Sequence, residues 1–307
     1  MPAVRANGLT IEYVETGDRR APTILLIMGL GMQLIAWPDA FCQGLADRGF
    51  RVVRFDNRDV GLSTKFRTDN VFSRTATLMR LLTGGRFTAP YTLYDMAADT
   101  VGVMDALGIE QAHVVGASMG GMIAQIVAAE HADRARSLVS IMSSSGDVHL
   151  QRGSQHALLP LLLPFPGLFG HEHAIRRSME TLRSIGSPGY PVSDTELRAK
   201  VERAYARSHH PAGFVHHILA IAACGSRVEM LRRISTPTLV IHGADDPLIP
   251  VAAGRHTAEN IPGARFRIFP GMGHDLPTTL MPVLVDAIAE HCHASGAKTS
   301  GGQTTHS

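Results

Sequence analysis

The sequence predicts an α/β fold, with a mostly parallel, doubly wound sheet and a helical segment inserted into it. Short runs of β-branched and aliphatic residues alternate with longer segments of helical periodicity, which is typical of successive βαβ units. Several of these runs, such as residues 24–27 and 238–241, are almost entirely apolar, as in strands that helices cover on both faces. The alternation stops between residues 147 and 225 and then resumes.

The predicted elements follow this alternation along the chain. Strands are expected at 9–14, 23–28, 51–55, 112–115, 137–142, 238–242 and 265–269. Helices are expected at 38–48, 93–107, 119–131, 252–260 and 282–291. These lengths are ordinary for strands and helices of globular proteins.

The interrupted segment predicts the domain organisation. Between residues 147 and 225 no strand pattern is evident, and helical periodicity appears around 175–185 and 196–206, after a proline-punctuated apolar stretch at 158–166. Because strands follow again, an inserted helical cap is favoured over an independent second domain. The predicted core comprises residues 1–146 and 226–293, the cap 147–225, and residues 294–307 form a disordered tail without apolar periodicity.

Composition and charge exclude several classes of protein. A hydrophobic fraction of 45% with 18% charged residues predicts a globular chain. The 29 Lys and Arg residues nearly balance the 27 Asp and Glu residues and form no basic block, so no nucleic-acid partner is expected. No signal-peptide core is evident, and the longest apolar run is shorter than the roughly 20 residues of a membrane span. We expect a cytoplasmic protein without a membrane span, as a monomer or homodimer.

Cysteines and histidines form no metal-site pattern. The three cysteines are odd in number and far apart, which also argues against a disulfide framework. The histidine pairs at 209–210 and 216–217 lack accompanying acidic or cysteine ligands, and residues 171–173, His-Glu-His, lack the spacing of a helical zinc motif. We therefore expect neither a metal nor a cofactor.

The central motif is a serine between two glycines. Residues 116–120 read Gly-Ala-Ser-Met-Gly, directly after a predicted strand and directly before a predicted helix. This G-x-S-x-G pattern at a strand-turn-helix junction predicts a sharp turn that exposes the hydroxyl of Ser118 above the sheet. Ser118 is therefore the candidate nucleophile.

A serine nucleophile needs a base and an acid that orients the base, and both are expected at the ends of later strands. The strand at 238–242 runs into Asp245 and Asp246, and the strand at 265–269 runs into Gly-Met-Gly-His, which ends at His274. The carboxyl ends of parallel strands line one crevice. We expect His274 to be the base and Asp246 to be the acid, with Asp245 facing solvent.

The reaction also requires backbone N–H donors for the developing oxyanion. The amide of Met119, which follows the nucleophile, is one expected donor. The loop after the strand at 23–28 supplies the second, and Leu30 is our choice. Gly29 and Gly31 would let the backbone approach the substrate. After the strand at 51–55, Asp56 and Arg58 are expected to pair and brace their loop.

These motifs resemble those of the α/β-hydrolase superfamily, and the resemblance covers residues 7–293 except the cap. The matching segments lie at 26–31, 55–63, 116–121, 246–247 and 271–274. Within the superfamily the chain is most similar to the aclacinomycin methylesterase group, whose members carry Met-Gly in the oxyanion loop and Pro-Gly-Met-Gly-His around the base. The resemblance implies the α/β-hydrolase fold and serine esterase activity. Its Gly-x-x-Asp-Pro pattern aligns on Asp246.

Related enzymes on this fold differ at identifiable positions. Haloalkane dehalogenases and epoxide hydrolases use a carboxylate nucleophile, where this chain has Ser118. Perhydrolase-like members typically have proline in the oxyanion loop, and C–C bond hydrolases usually have asparagine before the serine, where this chain has Ala117.

The expected function is therefore hydrolysis of small to medium, largely apolar carboxylic esters through an acyl-enzyme intermediate. The alternatives on the same fold are a methylesterase of a polyketide-type natural product, a C–C bond hydrolase and a perhydrolase. A non-catalytic ligand-binding protein or receptor is the alternative of another class.

Overall fold

The structure is a computed structural model that describes residues 2–66, 88–147, 149–150 and 170–300, with side chains up to residue 296. Its eight strands are β1 Ala3–Ala6, β2 Leu9–Thr16, β3 Thr23–Ile27, β4 Arg51–Phe55, β5 Ala112–Ala117, β6 Ala135–Ile141, β7 Thr238–Gly243 and β8 Arg265–Phe269. Its α-helices are α1 Asp39–Ala46, α2 Leu93–Ala106, α3 Met119–Glu130, α4 His171–Ile185, α5 Asp194–Arg207, α6 Pro211–Cys224, α7 Val228–Leu231, α8 Val251–Glu259 and α9 Met281–Ser300.

The strands form one sheet in the order β1-β2-β4-β3-β5-β6-β7-β8. β2 pairs antiparallel with β1 and β4, and every later pair is parallel. This confirms the predicted mostly parallel sheet. Strand β1 has no clear sequence pattern, because it is only four residues long and is defined by its pairing with β2.

Apolar residues of the central strands pack on both faces of the sheet. Leu25 and Ile27 of β3 contact one buried cluster, together with helices α2 and α3. Ile24 and Leu26 contact the other, together with α1 and α9. Successive side chains of a strand point to opposite faces, so an uninterrupted apolar run fills both clusters.

The described residues between 147 and 225 contain helices α4, α5 and α6 and no strand. The chain leaves and re-enters the sheet region at one place, where the amide of Arg227 donates to the carbonyl of Ser145 over 2.8 Å. The Arg227 side chain also donates to the carbonyls of Ser144 and Gly225. The cap boundaries stay a prediction, and the apolar stretch at 158–166 lies outside the described residues.

The predicted disordered tail is wrong over its first part. Helix α9 extends to Ser300, so residues 294–300 are helical, while residues 301–307 lie outside the described part of the chain. Ser295 is buried, and its hydroxyl donates to the carbonyl of His291 one turn earlier. Extending an existing helix costs far less than starting one, so helical structure outlasts the apolar pattern.

None of the helices within the described ranges combines the length and the apolar character that a membrane crossing requires.

Candidate active site

Ser118 lies on a strained turn between β5 and α3. Its backbone has φ 55° and ψ −120°, a conformation that costs about 1–3 kcal/mol in a residue with a side chain. A Cβ at Gly116 would lie 2.1 Å from the Gly120 carbonyl oxygen, and one at Gly120 would lie 2.1 Å from the Ile27 carbonyl oxygen. The two glycines of the motif are therefore required by the close approach of strand, turn and helix.

The structure joins Ser118, His274 and Asp246 by hydrogen bonds. The distance from Ser118 Oγ to His274 Nε2 is 2.9 Å, and from His274 Nδ1 to Asp246 Oδ2 it is 2.7 Å. Burial would raise the pKa of Asp246, but the charge and hydrogen bonds of His274 and His242 outweigh it and lower the pKa to about 2. An ionised carboxylate only accepts hydrogen bonds, so Nδ1 of His274 carries the proton and Nε2 accepts from the serine hydroxyl.

The two neighbouring aspartates occupy different environments. The Asp246 side chain is fully buried, and its Oδ1 accepts the amides of Leu248 and Ile249 over 2.9 and 2.8 Å. Asp245 is exposed and does not reach His274; its Oδ2 accepts the amide of Gly271 over 2.8 Å. Asp245 thus stabilises the loop that carries the histidine, a contact the sequence did not predict.

The loop after β3 lies directly against Ser118. A Cβ at Gly29 would lie 3.1 Å from Ser118 Cβ, so the missing side chain permits this approach. Among the described residues, no hydrogen-bond acceptor is assigned to the amides of Leu30 and Met119, the two predicted oxyanion donors. The Gly31 amide instead donates to Nδ1 of His217 over 3.1 Å. A contact of Gly29 or Gly31 with substrate stays a prediction.

Residues after β4 stabilise the loop that contains the predicted oxyanion donor Leu30. We call residues 28–34 the oxyanion loop. Nδ2 of Asn57 donates to the Met28 carbonyl over 2.9 Å, and Oδ1 of Asp56 accepts the Leu34 amide over 2.7 Å. The predicted pairing of Asp56 with Arg58 is wrong.

Each of these two side chains has a more distant partner. Arg58 forms a buried bidentate ion pair with Asp99 of α2, at 2.6 Å for both bonds. Asp56 pairs with Arg207 of α5 over 2.8 Å, which links the oxyanion loop to the inserted helices.

The last residue of α4 and the segment that follows it contact the loop that carries His274. The Ile185 carbonyl accepts the His274 amide over 2.8 Å, and Oγ of Ser187 accepts the Gly273 amide over 2.8 Å. A Cβ at Gly273 would lie 2.3 Å from the Gly186 carbonyl oxygen. The glycine of the Gly-x-Gly-His loop therefore makes room for the inserted segment.

The histidine pair at 216–217 belongs to a buried polar network. Nδ1 of His216 donates to Asp59 over 2.8 Å, and the Tyr91 hydroxyl donates to the same carboxylate over 2.7 Å. Burial would raise the pKa of Asp59, but these hydrogen bonds outweigh it and lower the pKa. Burial lowers the pKa of His217 to about 4.

Comparison with known proteins indicates the same fold and identifies proteins of similar sequence. A family model described as α/β hydrolase fold matches residues 22–277. The rhodomycin D methylesterase DauP of Streptomyces sp. (strain C5) is 31% identical over 95% of this chain and 98% of its own length. A 2-hydroxy-6-oxononadienedioate/2-hydroxy-6-oxononatrienedioate hydrolase of Paraburkholderia phymatum is 26% identical over 87% of this chain and 85% of its own.

Among solved structures, the meta-cleavage product hydrolase CumD of Pseudomonas fluorescens superposes with a TM-score of 0.76 at 20% identity, over 96% of this chain and 98% of its own. At that identity the likeness concerns the fold alone. The family model and the methylesterase likeness both extend over most of the chain. The protein is therefore an enzyme of the α/β-hydrolase family.

Proposed function

We propose that this protein is a serine carboxylesterase that hydrolyses small to medium, largely apolar carboxylic esters. The observation that carries the proposal is the hydrogen-bonded chain from Ser118 through His274 to Asp246. A serine hydroxyl becomes an effective nucleophile when a base accepts its proton, and the base needs a third group that fixes its orientation and tautomer. Each of these requirements has a named side chain here.

The first half of the reaction forms the acyl-enzyme. Oγ of Ser118 attacks the ester carbonyl carbon while its proton moves to Nε2 of His274, and Asp246 stabilises the resulting imidazolium. The carbonyl oxygen becomes an oxyanion, which accepts hydrogen bonds from the amides of Met119 and Leu30. When the tetrahedral intermediate collapses, the ester C–O bond breaks and His274 returns the proton to the leaving alcohol.

The second half repeats these roles with water. His274 removes a proton from a water molecule, which attacks the acyl carbon and forms a second oxyanion at the same two amides. Breakage of the bond to Ser118 Oγ releases the carboxylic acid, and the proton returns to the serine. The 31% identity to a rhodomycin D methylesterase along nearly the whole chain supports an ester as the bond that is cleaved.

The test is turnover of p-nitrophenyl esters of increasing acyl length by the wild type and by Ser118→Ala. We expect the variant to lose a factor of about 10⁴ to 10⁶ in kcat, with an unchanged circular dichroism spectrum. A fluorophosphonate probe should label Ser118 in the wild type, and mass spectrometry identifies the labelled peptide.

Three results would count against the proposal. A Ser118→Ala variant that retains burst kinetics would exclude Ser118 as the nucleophile. A wild type inactive on the whole series and on methyl esters of larger acids would favour the ligand-binding alternative. A preference for long triglycerides or charged esters would contradict the substrate class.

A further inference from the structure

We propose that His217 of α6 positions the oxyanion loop, so that the inserted helices take part in catalysis through a hydrogen bond to Gly31. The inference rests on the proposed esterase function and deepens it, because it names a residue that orients one of the two oxyanion donors. His217 is a positioning residue, since it reaches the reacting atoms only through the backbone.

The contact acts on the peptide next to the Leu30 donor. The Leu30 amide shares its peptide plane with the Gly29 carbonyl, which accepts the Met32 amide over 3.2 Å. The following plane contains the Gly31 amide, which donates to Nδ1 of His217 over 3.1 Å. Both peptide planes that flank the Leu30 α-carbon are thus fixed, and with them the direction of its N–H.

His217 itself is fixed from its other side. Its Nε2 donates to the Arg58 carbonyl over 2.9 Å, and the side chain is fully buried. The Gly31 bond requires a free lone pair on Nδ1, and the Arg58 bond requires a proton on Nε2. Only one tautomer of a neutral imidazole satisfies both partners.

Glycines allow α6 to approach closely enough for this contact. A Cβ at Gly31 would lie 2.6 Å from Phe214 Cδ2, and Gly31 has φ 67°, which favours glycine. A Cβ at Gly213 would lie 2.1 Å from the Asp59 carbonyl oxygen. The oxyanion loop and the loop after β4 therefore both pack directly against one end of α6.

The adjacent His216 supplies a matched control. It is as buried as His217 and lies on the same helix, but its Nδ1 donates to Asp59 and not to the oxyanion loop. If buried histidines of α6 matter only for stability, replacing either one should have the same effect on turnover. If His217 positions the loop, the two replacements should differ.

Two substitutions at position 217 separate its two hydrogen bonds. In His217→Asn, the amide oxygen can occupy the place of Nδ1 and accept from Gly31, while the bond to Arg58 is lost. In His217→Gln, the amide nitrogen can occupy the place of Nε2 and donate to Arg58, while the Gly31 amide loses its acceptor. Both variants are polar and remove one bond from the same buried site.

We expect His217→Gln to lower kcat for a p-nitrophenyl ester about 10- to 100-fold, with KM unchanged within about twofold. This loss of kcat is smaller than the loss expected when an entire oxyanion donor is removed. His217→Asn and the control His216→Asn should stay within about threefold of the wild-type kcat. Melting temperatures of all variants separate loss of stability from loss of turnover. Amide hydrogen exchange should show a protected Gly31 in the wild type and His217→Asn, and faster exchange in His217→Gln.

Equal losses of kcat in the Asn and Gln variants, or an unprotected Gly31 amide in the wild type, would overturn the positioning role. So would a His217→Gln variant with full kcat. These outcomes are distinct from failure of the proposed function, which would appear as a wild type without ester turnover.

Discussion

The turn that carries Ser118 and the two loops that face it are stabilised by different parts of the molecule. The Ser118 amide donates to the Ile141 carbonyl of β6 over 2.9 Å, and the glycines around it pack against the sheet. The His274 loop and the oxyanion loop instead donate hydrogen bonds from their backbone amides to the inserted segment, at Ile185, Ser187 and His217. The sheet therefore fixes the serine, while the insertion helps to fix the two loops that face it.

Because of this difference, we expect substitutions of reacting groups to lower the rate strongly, and substitutions in the insertion to lower it moderately by displacing a loop. Removing a group that reacts or orients the base should cost several powers of ten in rate. Removing one hydrogen bond from the insertion should cost about 1 kcal/mol and misplace a loop without removing a reacting group. Substitutions in the two regions should thus differ in size and in how they divide between kcat and stability.

The largest effect is expected at Asp246, which belongs to the sheet part of the site. Asp246→Asn should lower kcat for a p-nitrophenyl ester by about 10⁴, because an amide nitrogen facing Nδ1 favours the wrong tautomer of His274. Asp245→Asn should lower kcat less than about tenfold, since the amide oxygen can still accept the Gly271 amide. If Asp245→Asn caused the larger loss, the assignment of the acid would be wrong by one residue.

The two regions also differ in how far the sequence predicted them. Ser118, Asp246 and His274 each come shortly after the end of a strand, so strand patterns and chain order predicted which side chains would meet. Ser187 follows helix α4 and His217 lies on α6, and their contacts depend on how the insertion packs, which neither periodicity nor spacing reports. The sequence alone does not show whether a buried histidine on a helix positions a loop through a hydrogen bond or only stabilises the fold.

The failed pairing of Asp56 with Arg58 has the same origin. The two side chains are close in sequence, but Arg58 finds Asp99 on α2, and Asp56 accepts the amides of Leu34 and Leu62. Buried charges need several partners at once, and tertiary structure decides which partners are within reach.

His113, a histidine of strand β5, should make the folded protein less stable in acid. Its Nδ1 lies 2.8 Å from Oγ of Ser137 on β6, and burial lowers its pKa to about 4. The unfolded chain binds a proton at this position below its ordinary pKa of about 6.5, while the folded protein does not until about pH 4. As the pH is lowered from 7 to 4, proton binding to His113 in the unfolded chain therefore reduces the free energy of unfolding by roughly 3 kcal/mol.

Urea unfolding of His113→Asn at pH 7, 5.5 and 4 tests this expectation. The asparagine can bond to Ser137 without titrating, so the free energy of unfolding should fall less steeply with pH than in the wild type. Turnover at pH 7 should stay within about twofold of the wild type, because the described contacts of His113 do not include the catalytic loops. A slope identical to that of the wild type would mean that His113 binds protons equally in the folded and the unfolded protein, and would contradict the expectation.

The smallest effect is expected at Ser187, where the insertion contacts the His274 loop. Ser187→Ala removes the acceptor of the Gly273 amide and the hydroxyl that donates to Asp275. We expect kcat to fall about 3- to 10-fold with little change in KM, and the free energy of unfolding to fall by about 1–3 kcal/mol. The matched control is Ser184→Ala, because the Ser184 hydroxyl donates within its own helix, to the Thr181 carbonyl over 2.8 Å. Steady-state kinetics and urea unfolding of both variants separate an effect on turnover from an effect on stability.

If Ser184→Ala lowered kcat as much as Ser187→Ala, general loosening of α4 would explain both losses. If neither variant changed kcat, the insertion would cover the His274 loop without influencing its geometry. The oxyanion loop would then be the one loop of the described site whose geometry the insertion is still expected to influence.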